Sequence, residues 1–170
     1  MKRRLTILAL TALAVASFIS VELTAPAPAL AGGATQIRGT AIDGTGTCDP
    51  QADGVDNPTT FPLFFPVEEG GLNGCLYTYA ESSESSPSGT YRERGHEIFV
   101  SHDPNRLGRF ETTYLFTAKF DEDGNEIWGR CEHPITAGTG TGAFEGVTGR
   151  FDIKDDIAAG NFPYRGHLRF

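Results

Sequence analysis

The sequence has little that could form long helices. Beyond residue 31 no segment repeats apolar residues at helical spacing, and the chain contains 21 glycines. Each glycine inside a helix costs about 0.5–1 kcal/mol relative to alanine, whereas turns and bent strands accommodate it readily. This absence excludes a helical bundle and is typical of an all-β domain.

Basic residues are also few. The chain has 14 lysines and arginines against 22 aspartates and glutamates, which gives a formal net charge of −8. An acidic domain has no electrostatic reason to bind nucleic acid or anionic lipid, so we expect neither as a partner. Solubility alone is a sufficient explanation of this charge.

Cysteine is scarce, with three in the chain. Their spacing does not resemble that of a zinc site, and we predict neither a metal nor a cofactor. Cys48 follows the first predicted strand and Cys75 opens the second, so in an antiparallel pair both lie at the same end. We therefore predict a Cys48–Cys75 disulfide, which export would permit, and a buried free thiol at Cys131.

The N-terminus resembles a secretory signal peptide. A positive segment at 2–4 precedes a mostly apolar run at 5–23, and Ala29-Leu30-Ala31 forms a small-residue cleavage site. A membrane anchor is the competing interpretation, because the run approaches the length that spans a bilayer. Glu22 and the nearby prolines favour cleavage after Ala31. The predicted product is a secreted, extracellular domain of residues 32–170 that has no membrane partner.

The glycine-rich segment 135–153 predicts a corner of a closed, strongly coiled sheet. The last predicted strand ends on an apolar residue and is expected to pair with the first, which closes a barrel. The apolar segment 61–67 could supply an eighth strand. The predicted fold is a single antiparallel up-and-down β-barrel of about eight strands, calycin-like in architecture. The predicted strands are 36–42, 74–81, 89–100, 109–120, 126–136, 144–153 and 164–170.

The run Gly140–Gly149, GTGAFEGVTG, resembles the GTG-x-F-x-G-x-x-G part of a motif in the allene oxide cyclase-like barrel family. Ile135-Thr136 matches the opening of that motif, with two extra residues between the halves. The chain is more distantly similar to plant dirigent proteins, and the resemblance extends loosely over 74–170. It implies an eight-stranded antiparallel barrel with a largely apolar lumen, commonly in a homo-oligomer. The acidic residue that the cyclases carry on their first strand has no counterpart, because 36–42 contains no carboxylate.

The strand 89–100 has two contrasting faces. Arg92, Arg94 and His96 share one face, and the other carries Tyr91, Glu93, Gly95, Glu97 and Phe99. Alternation alone does not say which face points into the lumen. The basic face is either solvated or a buried cluster that needs carboxylate partners.

Other side chains could carry chemistry or simply pack. Cys131 and His133 share a face and, with His96 or His167, could bind a metal or form a nucleophile–base pair. Lumen tyrosines could donate hydrogen bonds to a ligand. Trp128 is either a lumen aromatic or part of an oligomer contact. The candidates for a ligand-binding lumen are Tyr77, Tyr79, His96, Tyr114, Cys131 and His133.

Three functions remain compatible with the sequence. The chain could bind a small apolar molecule in its lumen, or act as a cyclase-like or isomerase-like enzyme on a hydrophobic intermediate. It could also be a structural or interaction module with a solid core. Open volume with convergent polar groups would indicate one of the first two. A lumen filled by phenylalanines would indicate the third; these are Phe110, Phe116, Phe120, Phe144 and Phe151.

Overall fold

The computed structural model describes residues 33–170, so the predicted signal peptide at 1–31 lies outside the described residues. The described chain is all-β, and none of its segments is a helix long and apolar enough to cross a bilayer. Its strands are β1 (Thr35–Asp43), β2 (Leu63–Phe65), β3 (Gly74–Ser85), β4 (Thr90–Ser101), β5 (Gly108–Phe120), β6 (Glu126–Pro134), β7 (Thr141–Gly142), β8 (Thr148–Lys154) and β9 (Phe162–Arg169).

Eight strands close an antiparallel barrel, as the sequence predicts. The order around the barrel is β1-β2-β3-β4-β5-β6-β8-β9, and β9 returns to pair with β1 through Ile37 opposite Gly166. The apolar segment supplies the predicted extra strand, β2, which lies between β1 and β3. The short β7 pairs with β5 on the outside of the barrel. Closure removes the unpaired edges that an open sheet would leave.

Two local predictions are wrong. The serine-rich interval 82–88 between the predicted strands 74–81 and 89–100 is predicted to be a polar turn, but β3 continues to Ser85, opposite Tyr91, after a bulge between Ala80 and Ser82. The bulge changes the register locally and lets the serine-rich segment stay paired. The curved strand predicted from Phe144 begins at Thr148, because Phe144 lies in a tight turn that it forms with Thr141 and Val147.

One end of the lumen is filled by an aromatic plug, which we define as Phe65, Phe99, Phe110, Phe144 and Phe151. All five are buried. The Phe99 ring stacks on Phe110 at 4.9 Å between centroids and meets Phe65 and Phe144 edge-on at 5.8 Å and 5.9 Å. Such offset and edge-to-face pairs add to the free energy that area burial provides. The glycine-rich corner therefore closes this end of the barrel by inserting Phe144.

The other two phenylalanines do not belong to the plug. Phe116 and Phe120 lie towards the opposite end, half-buried, and both meet the Tyr91 ring at 6.2–6.3 Å. Five phenylalanines filling one lumen would have indicated a solid core. The observed split leaves the barrel packed at one end only.

The Cys48–Cys75 disulfide is present, and Cys131 is free, as predicted. The bridge holds the loop 44–62 against the outer face of β3, where Val55 and Tyr77 pack around it. Cys131 is half-buried rather than fully buried.

Removing the bridge tests its contribution to stability. The double variant Cys48→Ser/Cys75→Ser is expected to lose about 3 kcal/mol of unfolding free energy, because the bridge closes a loop of 27 positions in the unfolded chain. Guanidinium denaturation monitored by circular dichroism measures this loss. Cys131→Ser is the control and should keep most of the stability, and a similar loss in both variants would contradict the assignment.

Candidate functional site

The open end of the lumen holds a cavity of about 340 Å³. This volume lies within the usual range for sites that take a small molecule. The apolar part of the cavity lining comprises Phe61, Leu63, Phe116, Ile153 and Phe162. The polar lining comprises Thr60, Thr78, Glu93, Glu97, Tyr114, Glu126, Cys131, His133 and Asp155.

The floor of the cavity is a buried polar contact between Glu97 and His133. The Glu97 Oε2 lies 3.2 Å from the His133 Nε2, and the two side chains are 4% and 1% exposed. Thr112 donates a hydrogen bond to Oε2 and Thr78 donates one to Oε1, each at 3.0 Å. The imidazole lies flat against the Phe151 ring, 4.6 Å away. The pair thus separates the cavity from the aromatic plug.

The His133 ring has one polar atom without a partner. Its Nδ1 is buried and makes no hydrogen bond within residues 33–170. A buried polar atom without a partner carries a cost of roughly 1–3 kcal/mol. Because His133 lines the cavity, a ligand in the cavity could satisfy this atom.

Glu93 lies on the wall above the floor and is held by two phenols. Tyr91 donates a hydrogen bond to it at 2.5 Å, and Tyr114 donates another at 2.8 Å. Burial, followed by the bond to Glu93, raises the pKa of Tyr114 far above its ordinary value. Tyr114 is therefore a neutral donor committed to Glu93, so the carboxylate is already satisfied.

Glu126 and Asp155 form an acidic pair at the rim of the same cavity. The Glu126 Oε1 and the Asp155 Oδ2 lie together over Gly129, where a Cβ atom would collide with both. Burial, reinforced by the neighbouring Asp155, raises the pKa of Glu126 to about 7. The Glu126 Oε1 is buried and has no hydrogen-bond partner in the described chain other than the Asp155 carboxyl group. Two adjacent carboxyl groups cannot both ionise easily, so near neutral pH they hold one proton between them.

This pair predicts a pH dependence of stability. The folded pKa of Glu126, about 7, lies above its unfolded value of 4.5, so the folded state binds more protons between these values. The free energy of unfolding should therefore fall as the pH rises from about 5 to 8, by at most about 1.4 kcal/mol per pH unit. Urea denaturation across this range measures the slope, and Glu126→Gln should flatten it. A slope that is identical in the variant would contradict a shared proton.

Cys131 lies on the cavity wall between these groups. Burial, followed by the negative charges of Glu97 and Asp155, raises its pKa well above the ordinary value of a thiol. The group therefore stays a protonated thiol and is a poor nucleophile or metal ligand. Its environment favours packing over the nucleophile–base pair that its spacing from His133 allows.

Three of the predicted lumen residues lie outside the barrel, and those predictions were wrong. Tyr77 donates a hydrogen bond to Asp53 at 2.5 Å, beneath the loop that the disulfide holds. Tyr79 donates one to the backbone carbonyl of Asp56 at 2.6 Å and stacks on the ring of His96, 4.7 Å away. The outer face of β3 is aromatic because this loop covers it, and alternation cannot distinguish such a covered face from a lumen face.

The remaining candidates, Tyr114, Cys131 and His133, line the cavity together. The basic face of β4 is solvated, with His96 bonded to Glu81 at 2.8 Å and Arg92 exposed. Trp128 is 46% exposed on the outer surface, so it is not a lumen aromatic.

Sequence reasoning missed the four carboxyl groups of the cavity as site residues. Glu93 and Glu97 alternate with Phe99 on β4, and an apolar neighbour at this spacing is a signal for an inward face. No comparable signal marks Glu126 and Asp155, because each lies next to a turn, where acidic residues are ordinary.

One group of potential metal ligands occurs elsewhere in residues 33–170. The ligand atoms of Asp53, Cys75 and His102 lie within 4.8 Å of one another. The Cys75 sulfur is committed to the disulfide, and Asp53 already accepts hydrogen bonds from Tyr77 and His102. This group is therefore explained by the packing of the outer loop.

The chain matches no protein-family model, no curated protein and no solved structure. The likeness of Gly140–Gly149 to the allene oxide cyclase-like motif stays a prediction.

Proposed function

We propose that this chain is an exported barrel that binds one small, largely apolar molecule in the open end of its lumen. The observation that carries this proposal is the cavity of about 340 Å³ between the Glu97–His133 floor and the rim. A lumen closed at one end by packed rings and left open at the other is suited to a ligand rather than to a channel.

The lining supports the same function. Phe61 and Phe162 lie 6.5 Å apart between centroids, and with Ile153 they give an apolar surface that a hydrocarbon body can pack against. The polar groups of the lining can fix the orientation of the ligand. This combination of apolar wall and few convergent polar groups is typical of small-molecule sites.

Export is part of the proposal. A disulfide between Cys48 and Cys75 is compatible with an oxidising extracellular compartment. The charged and apolar pattern of residues 2–31 supports the same location.

A cyclase-like or isomerase-like enzyme is the second candidate. The acidic pair favours it, because a carboxyl group with a pKa of about 7 can donate a proton at neutral pH. Glu126 would be the proton donor, and Asp155 would be the neighbouring carboxyl group that helps to raise the pKa of Glu126. Substrate turnover, rather than binding alone, would distinguish this function.

The aromatic plug is what a solid-cored module would need, but it occupies one end of the lumen only.

Binding of N-phenyl-1-naphthylamine, a neutral fluorophore that brightens in apolar surroundings, tests the proposed function. We expect saturable binding of one fluorophore per chain. Cys131→Trp places a large ring in the cavity and should weaken binding at least tenfold. Thr113→Trp is the matched control, because Thr113 is exposed on the outer face of β5. Equal binding to both variants, or no saturable binding to the wild type, would overturn the proposal.

A further inference from the structure

We propose that the cavity selects an amine: a protonated ammonium group binds between Glu126 and Asp155, and its apolar body lies against the phenylalanine side of the cavity. This inference rests on the proposed function and names the class of ligand. Fatty acids and other carboxylates are thereby excluded as ligands.

The charge of the cavity lining favours a cationic ligand. Four carboxyl groups line the cavity, from Glu93, Glu97, Glu126 and Asp155. His133 is the one basic side chain among the described lining residues, and it is already paired with Glu97. The low dielectric of a barrel interior strengthens such a field. An anionic ligand would therefore be repelled, while a cation would be attracted.

The hydrogen bonds of the lining identify which carboxyl groups are available. Glu93 accepts from two tyrosines, and Glu97 accepts from two threonines and lies against His133. Both are satisfied from within the chain. The Glu126 Oε1 is buried without an N–H donor from the described chain, and its one polar neighbour is a second carboxyl group, that of Asp155. The acidic pair is thus the part of the cavity that lacks positive charge and N–H donors.

An ammonium group supplies both the positive charge and the N–H donors that the acidic pair lacks. It carries one positive charge and up to three N–H donors, which match two adjacent carboxylates. The buried Nδ1 of His133 is a second, independent atom without a partner on the same cavity. A further polar group on the ligand can satisfy it. Gly129 makes the arrangement feasible, because any side chain there would displace both carboxyl groups.

Binding of a cation is linked to loss of the shared proton. When the ammonium takes the place of that proton, the amine should release close to one proton at pH 6 and almost none at pH 8.5. Its affinity should rise about tenfold between pH 6 and pH 8. The other titratable groups that face the acidic pair across the cavity or from the adjoining groove are Asp43, Glu93, Glu97, Tyr114, Cys131, His133 and Asp156.

Isothermal titration calorimetry with octylamine, 1-octanol and octanoate tests the proposal, because the three probes share one hydrocarbon chain. We expect octylamine to bind the wild type at least tenfold more tightly than 1-octanol, and octanoate not to bind. Glu126→Gln and Asp155→Asn should each reduce the preference for octylamine over 1-octanol at least tenfold. Glu145→Gln removes the same charge from the turn at the plug end and should change nothing.

The outcomes separate the two proposals. Equal affinity for octylamine and 1-octanol, or binding of octanoate, would overturn the amine class and leave the binding function intact. If none of the three probes binds while the naphthylamine fluorophore does, the amine class is likewise overturned and the binding function is left intact. If the variants do not fold, proton release from the wild type decides, because amine binding without proton release at pH 6 contradicts the shared-proton site. Failure of every probe overturns both proposals.

Discussion

Phe99→Ala is expected to lower the free energy of unfolding by about 3–5 kcal/mol, the range for truncating a fully buried phenylalanine. The side chain is 0% exposed, and its ring contacts those of Phe65, Phe110 and Phe144. The wall around the plug is a closed ladder of hydrogen-bonded strands, so it cannot collapse inward to fill the space. The deletion therefore leaves most of a ring-sized void.

Phe116→Ala removes the same atoms from the open end of the lumen and is the matched control. Phe116 is half-buried and borders the cavity, so it already has fewer packing partners. We expect a loss of no more than about 1–2 kcal/mol. Guanidinium denaturation of both variants measures the difference. Equal losses would show that the lumen is packed uniformly from end to end and would contradict the division into plug and cavity.

His133→Leu is expected to lower the free energy of unfolding by about 1–3 kcal/mol, because it removes the polar partner of a buried carboxyl group. It leaves Glu97 buried at the floor of the cavity, with two threonine hydroxyls but without the imidazole. Removing one partner of a buried polar contact costs more than replacing both partners. The variant His133→Leu/Glu97→Gln changes the carboxyl group as well and should recover at least half of the loss.

A double-mutant cycle between His133 and Glu97 separates the loss of this polar contact from lost packing against Phe151. A loss in His133→Leu that Glu97→Gln does not rescue would mean that His133 acts as a packing group alone.

The closure of the barrel could be predicted because it depends on patterns along the chain. The final strand ends on apolar residues, and the pairing of Ile37 with Gly166 shows that it does meet β1. The disulfide could be predicted from the positions of Cys48 after the first strand and Cys75 at the start of the next predicted strand, although β2 separates these two strands in the barrel. Neither inference needed to know which face of a strand points inward.

The strand faces that point into the lumen were harder to predict. Alternation shows which residues share a face, but it does not show which of the two faces points inward. Tyr77 and Tyr79 are as aromatic as any lumen residue, yet they are buried by a loop that packs on the outside. The face of β4 that carries Glu97 is the inward one, because Glu97 contacts His133 of β6 over the intervening strand β5. A buried charge needs a partner, and the sequence does not show which distant residue supplies it.

The acidic pair could not be predicted at all. Glu126 and Asp155 come together through the antiparallel pairing of β6 with β8, in which Arg130 lies opposite Lys154. Gly129, which makes room for both carboxyl groups, looks in the sequence like any other strand glycine. The proximity of Glu126 and Asp155 depends on the register of the two strands and on the absence of a side chain at Gly129. Neither feature produces a recognisable local pattern in the sequence.

The most direct test of a ligand-binding lumen is native mass spectrometry of the wild-type chain purified after export into culture medium. A barrel that binds one small molecule predicts a species heavier than the bare chain by one fixed mass, at one copy per chain. That added mass should disappear from Cys131→Trp and persist in Thr113→Trp. A bare-chain mass in the wild type, unchanged when N-phenyl-1-naphthylamine is added, would contradict a ligand-binding lumen.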